Sequence, residues 1–185
     1  WTTLGVFDIG SRGDAALSIE RGAEVINGFG AVGGEAGARG QVRVHGADSH
    51  WHNTNGLRIG VDGAASVEIS DGARVTSNFA SLASGAASHG SVRVQGEDAE
   101  WQVTLSLAMN GLGSATLDVE QGGSVRVGQS VLMDEGSRVN LRGGTLDASI
   151  INVGAGTFDF SGGRLQTSLF VGSLGNQGGT LAPGH

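Results

Sequence analysis

GQVRVHGADSHW occupies residues 40–51, and GSVRVQGEDAEW occupies residues 90–101. The two stretches lie fifty residues apart and share a design. Apolar and polar residues alternate through Val42-Arg43-Val44 and Val92-Arg93-Val94, the period-two signature of a strand with one buried face. A turn rich in glycine and acidic residues follows, and then a tryptophan, Trp51 or Trp101, between polar neighbours. Trp1 extends the series by another fifty. Laid without a gap on residues 51–100, residues 1–50 match at 17 positions, among them Ile9/Ile59, Gly10/Gly60, Gly22/Gly72, Val25/Val75 and Phe29/Phe79.

The elementary unit is half that length. Leu17-Ser18-Ile19, Val42-Arg43-Val44, Val67-Glu68-Ile69, Val92-Arg93-Val94 and Leu117-Asp118-Val119 start 25 residues apart each time, and Val139-Asn140-Leu141 and Phe158-Asp159-Phe160 continue the series at shorter spacing. Each triplet is followed by a glycine-bearing turn, a second apolar position (Val25, Trp51, Val75, Trp101, Val125, Leu146, Leu165) and a third short apolar stretch. Three short strands and three turns per unit predict one coil of an all-β, right-handed, single-stranded parallel β-helix. Coils of this kind bury their inner faces by stacking on one another. Residues 1–185 then form one segment of about seven coils, roughly 35 Å long at the ordinary strand spacing. Residues 1–130 are regular, and the coils of 131–185 are degenerate and shorten from about 25 to about 20 residues. Phe29 and Val32 are expected in the core. The outward centres Arg43, Glu68, Arg93 and Asp118 alternate in sign on successive rungs.

Composition agrees with this reading and excludes others. Glycine supplies 35 of 185 residues, and there is one proline, Pro183, with no cysteine, lysine or tyrosine. Corners of a solenoid need glycine for left-handed backbone and close approach. The net charge of −7 argues against a nucleic-acid partner. No apolar run is long enough for a membrane-spanning helix, so the segment is expected not to enter a membrane. Without cysteine there are no disulfides and no thiolate metal sites.

GlyAlaAspSerHisTrp (46–51), LeuArgIleGly (57–60) and SerValGluIleSerAspGlyAlaArgVal (66–75) resemble the repeat shared by type V secretion (autotransporter) passengers and PEP-CTERM surface proteins. That resemblance covers residues 1–130. GlyGlyThrLeu (143–146) and GlyGlyThrLeuAlaProGly (178–184) are similar to a pattern common in autotransporter passengers. The resemblance implies a bacterial, secreted, outer-membrane-displayed β-helix with a structural or adhesive role. Such a chain would stack on further coils of its own and would meet a host-cell receptor or surface glycan. It implies no ligand of known identity, no cofactor and no catalytic residue. Asn110 stands where Gly10 and Gly60 do, and His185 stands where the family usually has Asn. Neither end carries a recognisable cap, so a fragment of a longer chain is expected.

Four motifs bear on chemistry. His45, His50 and His52 crowd into eight positions, and if Trp51 points inward, His50 and His52 share the outer face. A His-x-His pair on a strand can chelate zinc or copper. The same slots hold Gln95, Glu100 and Gln102 one repeat later, so solvent-facing variation is the better reading, and no metal site is assigned. Arg12-Gly13-Asp14 is the integrin-binding tripeptide and falls at a corner. It is the one candidate cell-attachment site, although glycine there also serves the turn. GlyPheGlyAlaValGly (28–33) fits a dinucleotide-binding pattern but opens no helix. Parallel β-helices also include polysaccharide-cleaving enzymes, whose carboxylates converge on one outer face. Here the 18 acidic residues scatter, and the longest connections, 33–41 and 83–91, are too short to wall a groove, so no catalytic residue is assigned.

Overall fold

The computed structural model describes residues 1–183 as fifteen strands, with no helix among them. All pairings are parallel, and they stack the chain into a β-solenoid of about seven turns. The first face carries β2 (Asp14–Glu20), β4 (Arg39–His45), β6 (Ala64–Ser70), β8 (His89–Gln95), β11 (Ser114–Glu120) and the opening residues of β13 (Ser137–Asn152) and β14 (Thr157–Val171). The second face carries the opening halves of β3 (Glu24–Val32), β5 (His50–Ile59), β7 (Arg74–Leu82) and β12 (Ser124–Met133). It also carries β9 (Glu100–Val103), the middles of β13 and β14, and β15 (Thr180–Pro183). The third face carries β1 (Val6–Ile9), the closing halves of β3, β5, β7, β12, β13 and β14, and β10 (Leu107–Met109). One core runs through the stack, built from inward rungs such as Val42, Val67, Val92 and Leu117. Trp51 and Trp101 are fully buried within it.

The fifty-residue period has a geometric cause. On the first face each coil up to Leu117 is 25 residues above the last, as in Val42↔Val67↔Val92↔Leu117. On the second face the steps alternate between 26 and 24, as in Val25↔Trp51↔Val75. On the third they alternate between 27 and 23, as in Phe29↔Gly56↔Phe79. Alternate coils therefore carry one extra residue at the first corner, one more at the second, and two fewer at the third. Each coil still closes on the same register. The inward position that opens the first face senses the difference. It is Ala65 or Ala115 in one kind of coil and Gly40 or Gly90 in the other. A Cβ on Gly40 would lie 2.5 Å from the Ile9 carbonyl oxygen, and one on Gly90 would lie 2.4 Å from that of Ile59.

The first corner turns through left-handed backbone in successive coils. Arg21, Asp48, Asp71, Asp98 and Gln121 all have φ between 49° and 62°. Aspartate at three of these sites is the non-glycine choice that tolerates this region best. Toward the C-terminal end the steps shrink to 22 and then 19 residues on the first face, in Leu117↔Val139↔Phe158. The corners become so short that β13 and β14 each run through three faces without interruption.

Two expectations need correction. Phe29 is not a core residue. Counted back in steps of two from the buried Val32, the inward position is Gly30, which pairs with the inward Leu57, and Phe29 faces out. Side chains of the next coil fill the place beside Gly30: a Cβ there would meet Asn53 Oδ1 at 2.4 Å and Leu57 Cδ1 and Trp51 Cζ2 at 2.8 Å. Phe29 instead meets Phe79 edge-on at 5.9 Å, with the Arg58 guanidinium 5.7 Å above its ring. The charge ladder is also only half realised. Arg43, Glu68, Arg93 and Asp118 stack in register, yet no ion pair within 4.0 Å links them. Gln95 donates to Glu68 (3.1 Å) and Asn140 donates to Asp118 (2.7 Å) instead. The Asn110 expectation is taken up below, and that for His185 lies outside the described residues.

The two kinds of coil should answer differently to single methyl groups. Gly90→Ala is expected to cost about 2 kcal/mol or more, because backbone blocks the new methyl. Ala65→Gly should cost about 1 kcal/mol through chain entropy and lost packing. Urea titration of both variants against the parent measures the difference.

Candidate functional site

The second face holds the densest group of polar side chains, arranged around the two buried tryptophans. Beneath Trp51, three amide groups lock together inside the core. The Trp51 indole N–H donates to Asn27 Oδ1 at 2.7 Å, and Asn27 Nδ2 donates to Asn53 Oδ1 at 2.8 Å. Asn53 Nδ2 in turn donates to the Thr76 carbonyl at 3.4 Å. Both asparagines are fully buried. One repeat later Ser77 takes the place of Asn27 and Trp101 that of Trp51. The shorter side chain does not reach, and Ser77 Oγ and Trp101 Nε1 are both buried without a partner. Nothing in the alternating sequence pattern distinguishes Asn27 from an outward polar residue except its parity with the inward Val25.

On the outer side of this face, His50 and His52 both point outward, as expected, with ring centroids 5.8 Å apart. They converge on one hydroxyl: His50 Nε2 lies 3.2 Å and His52 Nδ1 2.5 Å from Thr76 Oγ1. Glu24 Oε1 is 3.7 Å from His50 Nδ1, and Arg74 flanks the pair on the next rung. His50 is held below the usual imidazole value of 6.5, first by burial, then by the charge of His52, with Arg74 adding to both. Glu24 pulls the other way and does not offset them. His45 is not part of this group. It lies at the end of β4 with Nδ1 2.8 Å from Asp71 Oδ2 and 3.2 Å from Ser70 Oγ. Among the described residues, no three His, Asp or Glu side chains gather in a way that could hold a metal ion.

Two rungs further on, Glu100 is almost fully buried between two arginines. Arg74 Nη2 meets its Oε2 at 2.8 Å, and Arg126 Nη1 meets its Oε1 at 3.2 Å. The pairing across three coils explains why a carboxylate is tolerated beneath the surface. A recess of about 580 Å³ lies beside it, lined by Asp98, Ser124, Arg126 and Thr145.

Arg12, Gly13 and Asp14 are all exposed at the third corner, as a cell-attachment tripeptide must be. Yet the three do not form a free loop. Arg12 Nε donates to Glu35 Oε1 of the next coil at 2.8 Å, and Asp14 is the first residue of β2, in register with Arg39. Residues 28–32 are the closing part of β3 and Gly33 opens the corner that leads to β4, so no helix receives a phosphate there. The corner at 83–91 contributes to a recess of about 440 Å³ that brings together Ser88, His89, Asn110, Asp134 and Glu135, and the corner at 33–41 has no part in it. His89 makes no ion pair within 4.0 Å with these carboxylates.

No family model, no curated protein and no solved structure matches the chain. What fold and site define together is a parallel β-solenoid with polar and ionic ladders on its outer faces.

The buried amide network carries a specific expectation. Asn27→Ser should reproduce the Ser77/Trp101 gap and cost about 1–3 kcal/mol, read as a lower denaturation midpoint, because a buried indole N–H loses its acceptor. His50 sets a pH dependence. Its folded value lies below the unfolded one, so stability is fully present above about pH 6.5 and declines as the unfolded state takes up the proton first. Thermal melts from pH 7.5 to 5 should show this decline, and His50→Gln should flatten it.

Proposed function

We propose that this chain is a structural segment of a bacterial surface-displayed passenger, a stiff spacer that carries other parts outward from the outer membrane, and that it is non-catalytic. The observation that supports this reading most is the unbroken stack. Among the described residues each coil stacks in parallel on the one before, and one apolar core passes through the stack. Energy in such a rod comes from neighbour-to-neighbour contacts, so length can vary without disturbing any one coil. Charge distribution fits the role. Asp48, Asp71, Glu97 and Asp98 crowd the first corner, and Glu35, Asp62, Asp134 and Glu135 crowd the third. Rods with acidic edges repel one another and resist edge-to-edge association.

Adhesion is the second reading. Exposure of Arg12, Gly13 and Asp14 favours it, and a host-cell receptor or surface glycan would be the partner. The tie from Arg12 to Glu35 and the strand start at Asp14 favour the spacer instead. A spacer within a carbohydrate-active β-helix enzyme is compatible with the same rod.

Duplicating residues 51–100 in frame tests the spacer. Two more coils should lengthen the rod by about 10 Å in solution scattering. The lengthened chain should keep its cooperative unfolding and its display on the cell. Loss of folding or display would reject the proposal. Asp14→Glu should leave attachment to integrin-bearing cells unchanged. A fall to background would establish the tripeptide as a binding site.

A further inference from the structure

The third corner holds a column of left-handed backbone. Gly10, Gly33 and Gly60 have φ of 68°, 70° and 73°, and Ala83 follows at 53°. At the next coil the column breaks, because Asn110 does not adopt a positive φ. The hydrogen bonds break with it. In the preceding coils two successive amides close the corner: Gly33 and Gly34 donate to Ile9 and Gly10, Gly60 and Val61 to Val32 and Gly33, and Ala83 and Ser84 to Ile59 and Gly60, all at 2.8–3.0 Å. The corresponding bonds from Asn110 and Gly111 are missing. Pairing of β10 with β7 ends at Ala108↔Ser81, while Leu112 and Gly113 keep the bonds to Ser84 and Ala83 that Asp62 and Gly63 make to Gly34 and Gly33. The Gly111 amide and the exposed Asn110 side chain are left without partners.

We propose that Asn110–Gly111 is a site of spontaneous covalent modification in the folded protein, converting to aspartate and isoaspartate through a cyclic imide. The chemistry needs only water. The Gly111 nitrogen gives its proton to solvent base and attacks Asn110 Cγ, forming a C–N bond. The bond to the side-chain NH₂ breaks, and ammonia leaves. Water then opens the five-membered imide at either carbonyl. Nothing is oxidised or reduced, and the product carries one more negative charge. Glycine makes the attacking nitrogen unhindered, and the missing hydrogen bond leaves it available. The new carboxylate would enter the recess that already holds Asp134 and Glu135.

The chain contains two further Asn-Gly pairs, which serve as internal controls. Asn27 is fully buried, and its side-chain amide is bonded to Trp51 and Asn53. Gly56, which follows the exposed Asn55, is buried in paired strand, and the Phe79 ring covers the place of its missing Cβ, 2.6 Å away. Amides held in this way react only through local opening, so the fold should rank the three sites.

The experiment incubates the folded chain and the urea-unfolded chain at mildly alkaline pH and maps all three sites by peptide mass and fragmentation. Unfolded, the three pairs should convert at similar rates. Folded, Asn110 should convert at close to its unfolded rate while Asn27 slows by an order of magnitude or more and Asn55 falls between. Asn110→Gln should abolish the acidic shift that the folded parent develops on isoelectric focusing. Asn110 staying intact in the folded chain while converting in urea would overturn the proposal. So would faster conversion at Asn55, or an acidic shift that persists in Asn110→Gln.

Discussion

Closure of each coil on the register of the one beneath it is the constraint on which this structure depends. A parallel ladder evenly spaced along the axis exists only if every circuit returns the backbone one strand spacing further along the axis and in the same phase. One unmatched residue would turn the inward column to solvent and the outward column to the core. The chain meets the constraint while varying its corners. Residues added at the first two corners of alternate coils are removed at the third, so from Leu17 to Leu117 the first face keeps its 25-residue step. The small inward residues follow from that exchange. Glycine stands at 40 and 90 where the returning backbone comes too close for a methyl, and alanine at 65 and 115 where it does not.

The polar groups inside and outside the rod are subordinate to the same geometry. Gly30 leaves the space that the side chains of Trp51, Asn53 and Leu57 fill. The indole N–H then points into a dry interior, where Asn27 Oδ1 accepts it and Asn53 in turn holds the Asn27 amide. Glu100, two rungs on, is held by two arginines from different coils, so an ion pair there also fastens coil to coil.

Strand phase, coil length and the inward tryptophans were legible because they depend on parity and spacing, which a sequence displays directly. Val42 and Val44 cannot face inward without Arg43 facing out. Phe29 was misread because its bulk drew attention from the parity set by Val32, and Gly30, which occupies the inward place, has no side chain to announce it. Asn27 and Asn53 were not found because a polar residue at an inward position looks like any other polar residue until its partner one coil away is known, and the burial of the outward Glu100 depends on arginines from the two adjoining coils. The His50–His52 pairing was legible, being two residues apart on one strand. Its shared partner Thr76 was not, since that contact joins neighbouring coils. The outer arginine and carboxylate centres of the first face stack as read, but long side chains choose among several neighbours, and register alone does not select one.

The tryptophans have a consequence of another kind. Trp1 is exposed, while Trp51 and Trp101 sit in the same packing position two coils apart. The two buried indoles differ in one respect: the first has a hydrogen-bond acceptor and the second has none. Indole emission responds to both solvent and hydrogen bonding. The chain thus contains three optical reporters at known heights along its axis, each with a distinct environment. Fraying from either end of the rod would dim or shift them in an order that reveals where it began.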